Sequence, residues 1–375
     1  MSRILFTAVS AHGHVLPMAP LMEAALESGH TVALIASADL RPLLESDLPL
    51  GVELLPAGPM PLELATLAAE RTQGDLMQPT VEGIGETFGG VLLDLSLPAA
   101  IPAARSWMPD VVVADVFNSV GPFLSALLDV PWWRFSMTVH PPTSWMEAIA
   151  ESAGERYRSA GLEPRDPAGT VQIWPEELTA GEDPTWSDAP VHDMAFSAHR
   201  GRGSGEAPEA PATGRPRVVA SMGTIFSDAG ALGELAARLA EAGVDAVVTT
   251  GLALGESVVG SDDRSVTWVP FTPIDGLLRG ASAIVTVGGA GTVLAALAHG
   301  VPLVLWPHGA DQPLIAERVE ATGAAIGIAG LDELPGALRR LLADPDHAAR
   351  AGAVAESNAS RPAPAAVLQR MLESR

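Results

Sequence analysis

The apolar positions of the chain fall into short continuous blocks separated by turn residues. Ile4 to Val9 is an apolar and small-residue run, followed by a turn with His12, Gly13 and His14, and then by a helical pattern from Met18 to Ser28 that stops at Gly29. Thr31 to Ala36 is a second run. Continuous apolar strands joined through helices predict a parallel sheet covered on both faces, because a strand buried on both sides has no polar face to alternate with. A further strand, Val111-Val112-Val113-Ala114, ends at Asp115 and leads into a helix-like stretch from Gly121 to Leu128; Trp132 to Val139 is strand-like again.

Residues Gly201 to Pro211 carry almost no large apolar side chain and cannot bury a face, which predicts a linker or mobile loop. Beyond it the rhythm restarts, with strands at Arg217 to Ser221, Val244 to Thr249 and Ala283 to Val287 and a helix from Gly230 to Ala242. A chain of 375 residues exceeds what one core supports. The expected organisation is an α/β pair of doubly wound, Rossmann-like domains facing each other across a cleft. The N-terminal domain takes residues 1–200, the linker 201–215 and the C-terminal domain 216–355, with a terminal helix at 356–375 packing back on the first domain.

Ligands of open parallel sheets bind beyond the carboxyl ends of the strands. In the first half His14 and Asp115 stand there. In the second half Gly288-Gly289-Ala290-Gly291-Thr292 separates a strand from a short helix expected over Val293 to His299, so a diphosphate can approach free N–H groups at the positive end of the helix dipole. Taken alone, this turn is equally a tight strand-to-helix connection without a ligand. Three neighbours argue for the cradle. Val266-Thr267-Trp268-Val269-Pro270 offers an indole to stack on a base, Ser221-Met222-Gly223-Thr224 offers hydroxyl and amide donors, and a loop after Trp306-Pro307 carries Asp311 and Gln312, complementary to vicinal hydroxyls. A dinucleotide site is disfavoured because the G-x-G-x-x-G spacing and the downstream ribose carboxylate are missing.

Composition narrows the chemistry. The formal charge is 22 minus 45, or −23, which repels nucleic acid and anionic membrane surfaces. All 22 basic residues are Arg and there is no Cys, which removes a P-loop or Schiff-base lysine, a thiol nucleophile and cysteine metal sites. Asp262-Asp263 are adjacent in an expected loop and read as a solvated turn, so no metal site is expected. With no apolar run near the ~20 residues of a membrane span, the chain reads as cytoplasmic, without stable membrane insertion.

The string Trp268-x-Pro270, Gly288-Gly289-Ala290-Gly291-Thr292, Gly300-Val301-Pro302 and Pro307-x-x-x-Asp311-Gln312 resembles the donor-binding region of the GT-B glycosyltransferases. It is most similar to the actinobacterial natural-product (antibiotic) branch of the UDP-glycosyltransferase-like family. The resemblance implies an inverting, metal-independent transferase of hexosyltransferase type. It would move a (deoxy)sugar from a nucleotide diphosphate, a TDP-sugar above all, to a hydrophobic aglycone. It further implies donor contacts from Ser221, Gly223, Thr224, Trp268, Val269, Gly288, Gly289, Gly291, Thr292, Asp311 and Gln312. The nucleotide sugar is a co-substrate, and no cofactor is implied. Two departures stand out: Val287 replaces the usual His before the paired glycines, and Ile315-Ala316 replaces an Asn after the Asp-Gln pair.

An acceptor hydroxyl needs a base, and His suits neutral pH. The residues alone leave His12 and His14 open. The family's His-x-x-Pro pattern selects His14, with Asp115 as the carboxylate that orients it and stabilises its imidazolium form. Stretches from about Pro59 to Pro98 and Thr138 to Ala198, rich in Met, Leu, Phe and Trp, lie on the acceptor side in this family. Met77, Phe88, Trp145 and Met146 are the candidate acceptor contacts, each with ordinary core packing as the competing reading. C-glycosyl transfer, a sugar-nucleotide epimerase of the same fold and a catalytically weak helper protein are the alternatives. A homodimer or an auxiliary activator protein is compatible with all of them.

Overall fold

A computed structural model describes residues 1–76, 78–179, 189–198, 200–201, 214–223, 229–251 and 265–373 of the chain. The chain divides into two compact units, one of Met1–Trp174, Gly181–Ala195 and Arg361–Arg375, the other of Pro175–Ala180 and Phe196–Ser360. Each is built on a doubly wound parallel sheet, as the strand pattern predicts. The expected linker falls almost wholly outside the described residues, as do Met77, Thr224 and Asp262-Asp263.

The first sheet contains β1 (Arg3–Thr7), β2 (Thr31–Ala36), β3 (Val52–Pro56), β4 (Val111–Asp115), β5 (Trp132–Ser136), β6 (Gly169–Gln172) and β7 (Val191–Asp193), in the order β3-β2-β1-β4-β5-β6-β7. All neighbours are parallel. Burial follows from position: β4 is buried at every residue, whereas no residue of the edge strands β3 and β7 is fully buried. The chain adds β2 and β3 on one side of β1 and then returns to add β4 on the other. With right-handed crossovers, the connections before and after the reversal lie on opposite faces, so a crevice opens between the carboxyl ends of β1 and β4.

After β1 the structure departs from the expected turn. His12–Val15 is already a helical turn, continued by a 3-10 turn over Leu16–Met18 into the helix Ala19–Glu27. Pro17 and Pro20 occupy the first turns of their segments, where a missing N–H and a fixed φ are tolerated.

The sequence pattern also missed a long helical run. Val81–Gly85, a π-helical turn over Glu86–Val91 and Leu92–Trp107 are continuous, with Pro98 and Pro102 inside the last helix. By length and composition Val81–Trp107 is long and apolar enough to cross a membrane, contrary to expectation, and 44% of its most apolar window is buried. Its buried side packs against the helices Pro61–Thr72, Val120–Leu128 and Thr143–Ser159. Two of its acids, Glu86 and Asp94, are held in ion pairs: Arg71 with Glu86 and Asp94 at 2.7 and 2.8 Å, and Arg156 with Asp94 at 2.6 Å.

The second sheet runs β10-β9-β8-β11-β12-β13, all parallel. Its strands are β8 (Arg217–Ser221), β9 (Asp245–Thr249), β10 (Val266–Val269), β11 (Ala283–Thr286), β12 (Leu303–Leu305) and β13 (Ala325–Gly327). The reversal here lies between β8 and β11. Residues 356–360 complete the helix Pro345–Ser360 of this unit. From Arg361 the chain belongs to the first unit, where the Arg361 guanidinium donates to the carbonyls of Gln172 and Ile173 and to Asp193, each at 2.7–2.8 Å. The helix Pro364–Glu373 then packs on Ala19–Glu27.

Candidate active site

The first unit brings its two candidate catalytic residues together at the reversal point. Asp115, the last residue of β4, has a fully buried side chain. One oxygen, Oδ2, accepts from the Val9 N–H at 2.7 Å and lies 3.2 Å from His14 Nδ1, while Oδ1 accepts from the Phe117 N–H at 2.7 Å. A carboxylate at Asp115 can only accept, which assigns a His14 proton to Nδ1; in the neutral ring the lone pair is then on Nε2. Local packing fixes the pair. Asn118 Oδ1 accepts from the Val120 and Gly121 amides at 3.1 and 3.2 Å and starts the helix Val120–Leu128 directly after the strand. Gly121 lets that helix close on the sheet, since a Cβ there would stand 2.6 Å from the Ala114 Cβ.

Phe117 extends this arrangement. Its buried ring lies 6.2 Å from the His14 ring and stacks on Phe88 at 5.0 Å with an interplanar angle of 27°. Phe88 sits in the π-helical turn, a distortion that frequently marks functional sites because one extra residue re-aims the side chains that follow. Phe117 follows Asp115 by two residues, and only the tertiary stack reveals it. Trp145 and Met146 are half-buried at the start of the helix Thr143–Ser159. That helix approaches the Phe88 helix closely at glycines. A Cβ on Gly85 would lie 2.7 Å from the Ala148 carbonyl oxygen, and one on Gly89 would collide with that of Ile149. An open groove of about 630 Å³ on this unit is lined by Arg71, Glu82, Glu86, Glu151 and Ser152 among others, and Phe88, Trp145 and Met146 are not part of its lining.

The second unit assembles most of the expected donor residues along one edge of its sheet. Ser221 ends β8, and Gly223 follows at φ +73°. Gly288 has φ +91°, a left-handed conformation that favours glycine, and a Cβ there would lie 3.6 Å from the Gln312 carbonyl oxygen. The helix after the turn is Ala290–Ala298 and starts earlier than expected, so Gly291 and Thr292 belong to its first turn. No side chain caps it at Gly289, and Cβ atoms built at Gly289 and Gly291 would meet only open space. Val287, the residue in place of the family's His, is 2% exposed and forms part of the apolar core with Met222, Val285 and Val304.

Trp268 on the edge strand β10 is half-buried, and part of its ring packs on the same core, so the competing core-packing reading applies to part of the side chain. Val269 next to it is buried. Asp311 precedes the helix Gln312–Ala321 without capping it. Gln312 is 7% exposed, and its Oε1 accepts from the backbone N–H of His308 at 2.8 Å and of Gly309 at 3.4 Å. This leaves the amide NH₂ as the group it can present. His308, which the sequence pattern did not single out, packs edge-on to Trp306 at 4.2 Å, and burial pulls its pKa below the usual histidine value.

Comparison with known proteins agrees with this architecture. The C-terminal domain of erythromycin biosynthesis protein CIII-like proteins matches residues 235–374. L-demethylnoviosyl transferase of Streptomyces niveus is 29% identical over 387 residues, covering 98% of this chain and 97% of the relative. Among solved structures, glycosyltransferase SsfS6 of Streptomyces sp. SF2575, complexed with thymidine diphosphate, superposes with a TM-score of 0.85 at 24% identity, over 100% of both chains. Spinosyn rhamnosyltransferase SpnG complexed with spinosyn aglycone does so with a TM-score of 0.82 at 24% identity, again over 100% of both.

Proposed function

We propose that this chain, which belongs to the actinobacterial antibiotic glycosyltransferases of GT-B fold, moves a deoxysugar from a TDP-sugar to a hydroxyl of a hydrophobic natural product, with inversion and with His14 as general base. The observation that carries the reading is the His14–Asp115 pair at the β1/β4 reversal. With Nδ1 held by a buried carboxylate, Nε2 is the nitrogen that takes the acceptor proton, and Asp115 stabilises the imidazolium that results. Loss of that proton turns the acceptor oxygen into a competent nucleophile. It attacks the anomeric carbon on the face opposite the departing diphosphate, which gives inversion.

The second unit supports the donor role. Across neighbouring strands the residues fall in the order Trp268 on β10, Ser221 at the end of β8 with Gly223 beyond it, Gly288 to Thr292 after β11, and Asp311 and Gln312 after β12. Strands are about 4.8 Å apart, so β10 to β12 spans roughly 19 Å. The order matches a nucleotide sugar laid out as base, diphosphate and hexose. Charge on the leaving diphosphate falls on the uncapped first turn of Ala290–Ala298 rather than on a metal. TDP as the nucleotide is supported by its presence in the SsfS6 complex, and a hydrophobic acceptor by the aglycone in the SpnG complex.

The test pairs a TDP thermal-shift titration with a screen of TDP- and UDP-sugars against polyketide-type acceptors, read by mass. TDP stabilisation of wild type and His14→Ala alike is expected, with turnover in the variant lower by roughly 10²–10⁴-fold. Absence of any shift at millimolar nucleotide sinks the donor reading, and full turnover in the variant removes His14 from its role.

A further inference from the structure

We infer that the acceptor is a planar aromatic compound whose ring system stacks on Phe88, with Phe117 beneath it as the residue that refers the acceptor to the base. The inference rests on the transferase reading above and adds the class of acceptor. Phe117 is 5% exposed and covered on one side by Phe88, whereas Phe88 is only half-buried, so part of its ring reaches the surface. Phe117 also touches the catalytic pair twice, through its ring beside His14 at 6.2 Å and through its N–H on Asp115 at 2.7 Å. The two ring separations, 5.0 and 6.2 Å, bound the Phe88 and His14 centroids to at most about 11 Å apart. Stacked rings sit with centroids about 4.5–7 Å apart, so the acceptor on the open face of Phe88 has to be an extended fused-ring phenol that reaches past the edge of Phe88 toward His14.

Rigidity selects for flatness. Phe88 cannot recede, because the flanking Gly85 and Gly89 already touch the backbone of the Thr143–Ser159 helix. Nor is the turn free to shift sideways. Glu86, two residues away, accepts from Arg71 at 2.7 Å and from the Ser152 hydroxyl at 3.0 Å. A fixed aromatic face gains most from a partner equally flat. A puckered aliphatic ring needs a surface that conforms to it, as flexible Met side chains do.

The test measures binding to the full chain at saturating TDP, by equilibrium dialysis of a monohydroxyanthraquinone and of an aliphatic macrolactone. The anthraquinone is expected to bind the wild type more tightly than the macrolactone. Phe88→Leu is expected to weaken the anthraquinone roughly two- to tenfold, with Phe88→Tyr restoring it and macrolactone binding unchanged. Unchanged circular dichroism and an unchanged melting temperature in each variant report that the first unit is folded, and unchanged TDP affinity reports the same for the second. Tighter macrolactone binding to the wild type, or anthraquinone affinity unaltered by Phe88→Leu, overturns the inference. Failure of the wild type to bind TDP strikes the transferase reading instead, whereas TDP binding without anthraquinone binding strikes only the acceptor class.

Discussion

Replacing Asp115 by Asn separates the structural and the chemical work of one buried group. The carboxylate accepts three bonds, two on Oδ2 from Val9 and His14 and one on Oδ1 from Phe117. An amide has a single oxygen. Placed at the Oδ2 position it keeps both Val9 and His14, and its NH₂ then faces the Phe117 N–H, donor to donor. The stranded buried N–H costs about 1–3 kcal/mol of stability. At roughly 2–4 °C per kcal/mol for a unit of this size, the melting temperature falls by roughly 2–12 °C. His14 keeps its tautomer in this arrangement but loses the negative charge behind its imidazolium. Losing a hydrogen bond to a charged group is worth about 1.5–3 kcal/mol, so kcat falls roughly 10- to 150-fold. The acidic limb of the kcat profile moves to lower pH, because the neutral imidazole is then favoured. Turnover and its pH profile are measured with a TDP-sugar and the best acceptor, and TDP affinity by calorimetry is unchanged. A variant that loses stability while kcat and its acidic limb stay at the wild-type values refutes the catalytic pairing and leaves Asp115 a purely structural anchor.

Two further outcomes concern stability. Gly89→Ala forces a methyl group into the Ile149 carbonyl, so the Phe88 helix must shift at a cost of about 1–3 kcal/mol, visible as a lower denaturant midpoint, and an unchanged midpoint removes the rigidity argument for Phe88. His308 has a folded pKa lowered by burial from 6.5. Above 6.5 the ring is neutral in folded and unfolded chains alike; as pH falls, the unfolded chain binds its proton first, so stability drops between 6.5 and the folded value. Urea midpoints at neutral and mildly acidic pH, compared between wild type and His308→Gln, should show a larger acid loss in the wild type, and parallel losses contradict the assignment.

The residues that were readable in the sequence are those whose chemistry depends on a short contiguous pattern. Strands β1, β4, β8 and β11 are nearly unbroken apolar runs, and the glycines before Ala290 announce a turn whose backbone must take a left-handed step, which Gly288 does at φ +91°. His14 and Asp115 were visible because each follows or ends such a strand. Helix starts were less legible. The segment from His12 reads as a turn on its glycine and prolines, yet those prolines sit where a helix needs no donor. The Val81–Trp107 run was obscured in the same way by Pro98 and Pro102, which count against a helix locally and are outweighed by packing.

What no local pattern encodes is the convergence of segments far apart in sequence, and the site's geometry depends on it. Phe88, in the π-helical turn, stacks on Phe117 from a distant strand end, while Gly85 and Gly89 admit a third segment, the helix Thr143–Ser159. Gln312 looks from its position after Pro307 like a side chain wholly available for a sugar, but its carbonyl closes the loop that contains His308. Val287 illustrates the opposite case. Read as a missing imidazole it suggests a weakened cradle, but the side chain at this position is 2% exposed among Met222, Val285 and Val304. A polar ring there would be desolvated at a cost of about 1–3 kcal/mol unless it reached a partner. The valine therefore fills core space at the base of the turn, and under the proposed transferase reading the diphosphate is held by groups that need no side chain: the N–H donors and dipole of Ala290–Ala298.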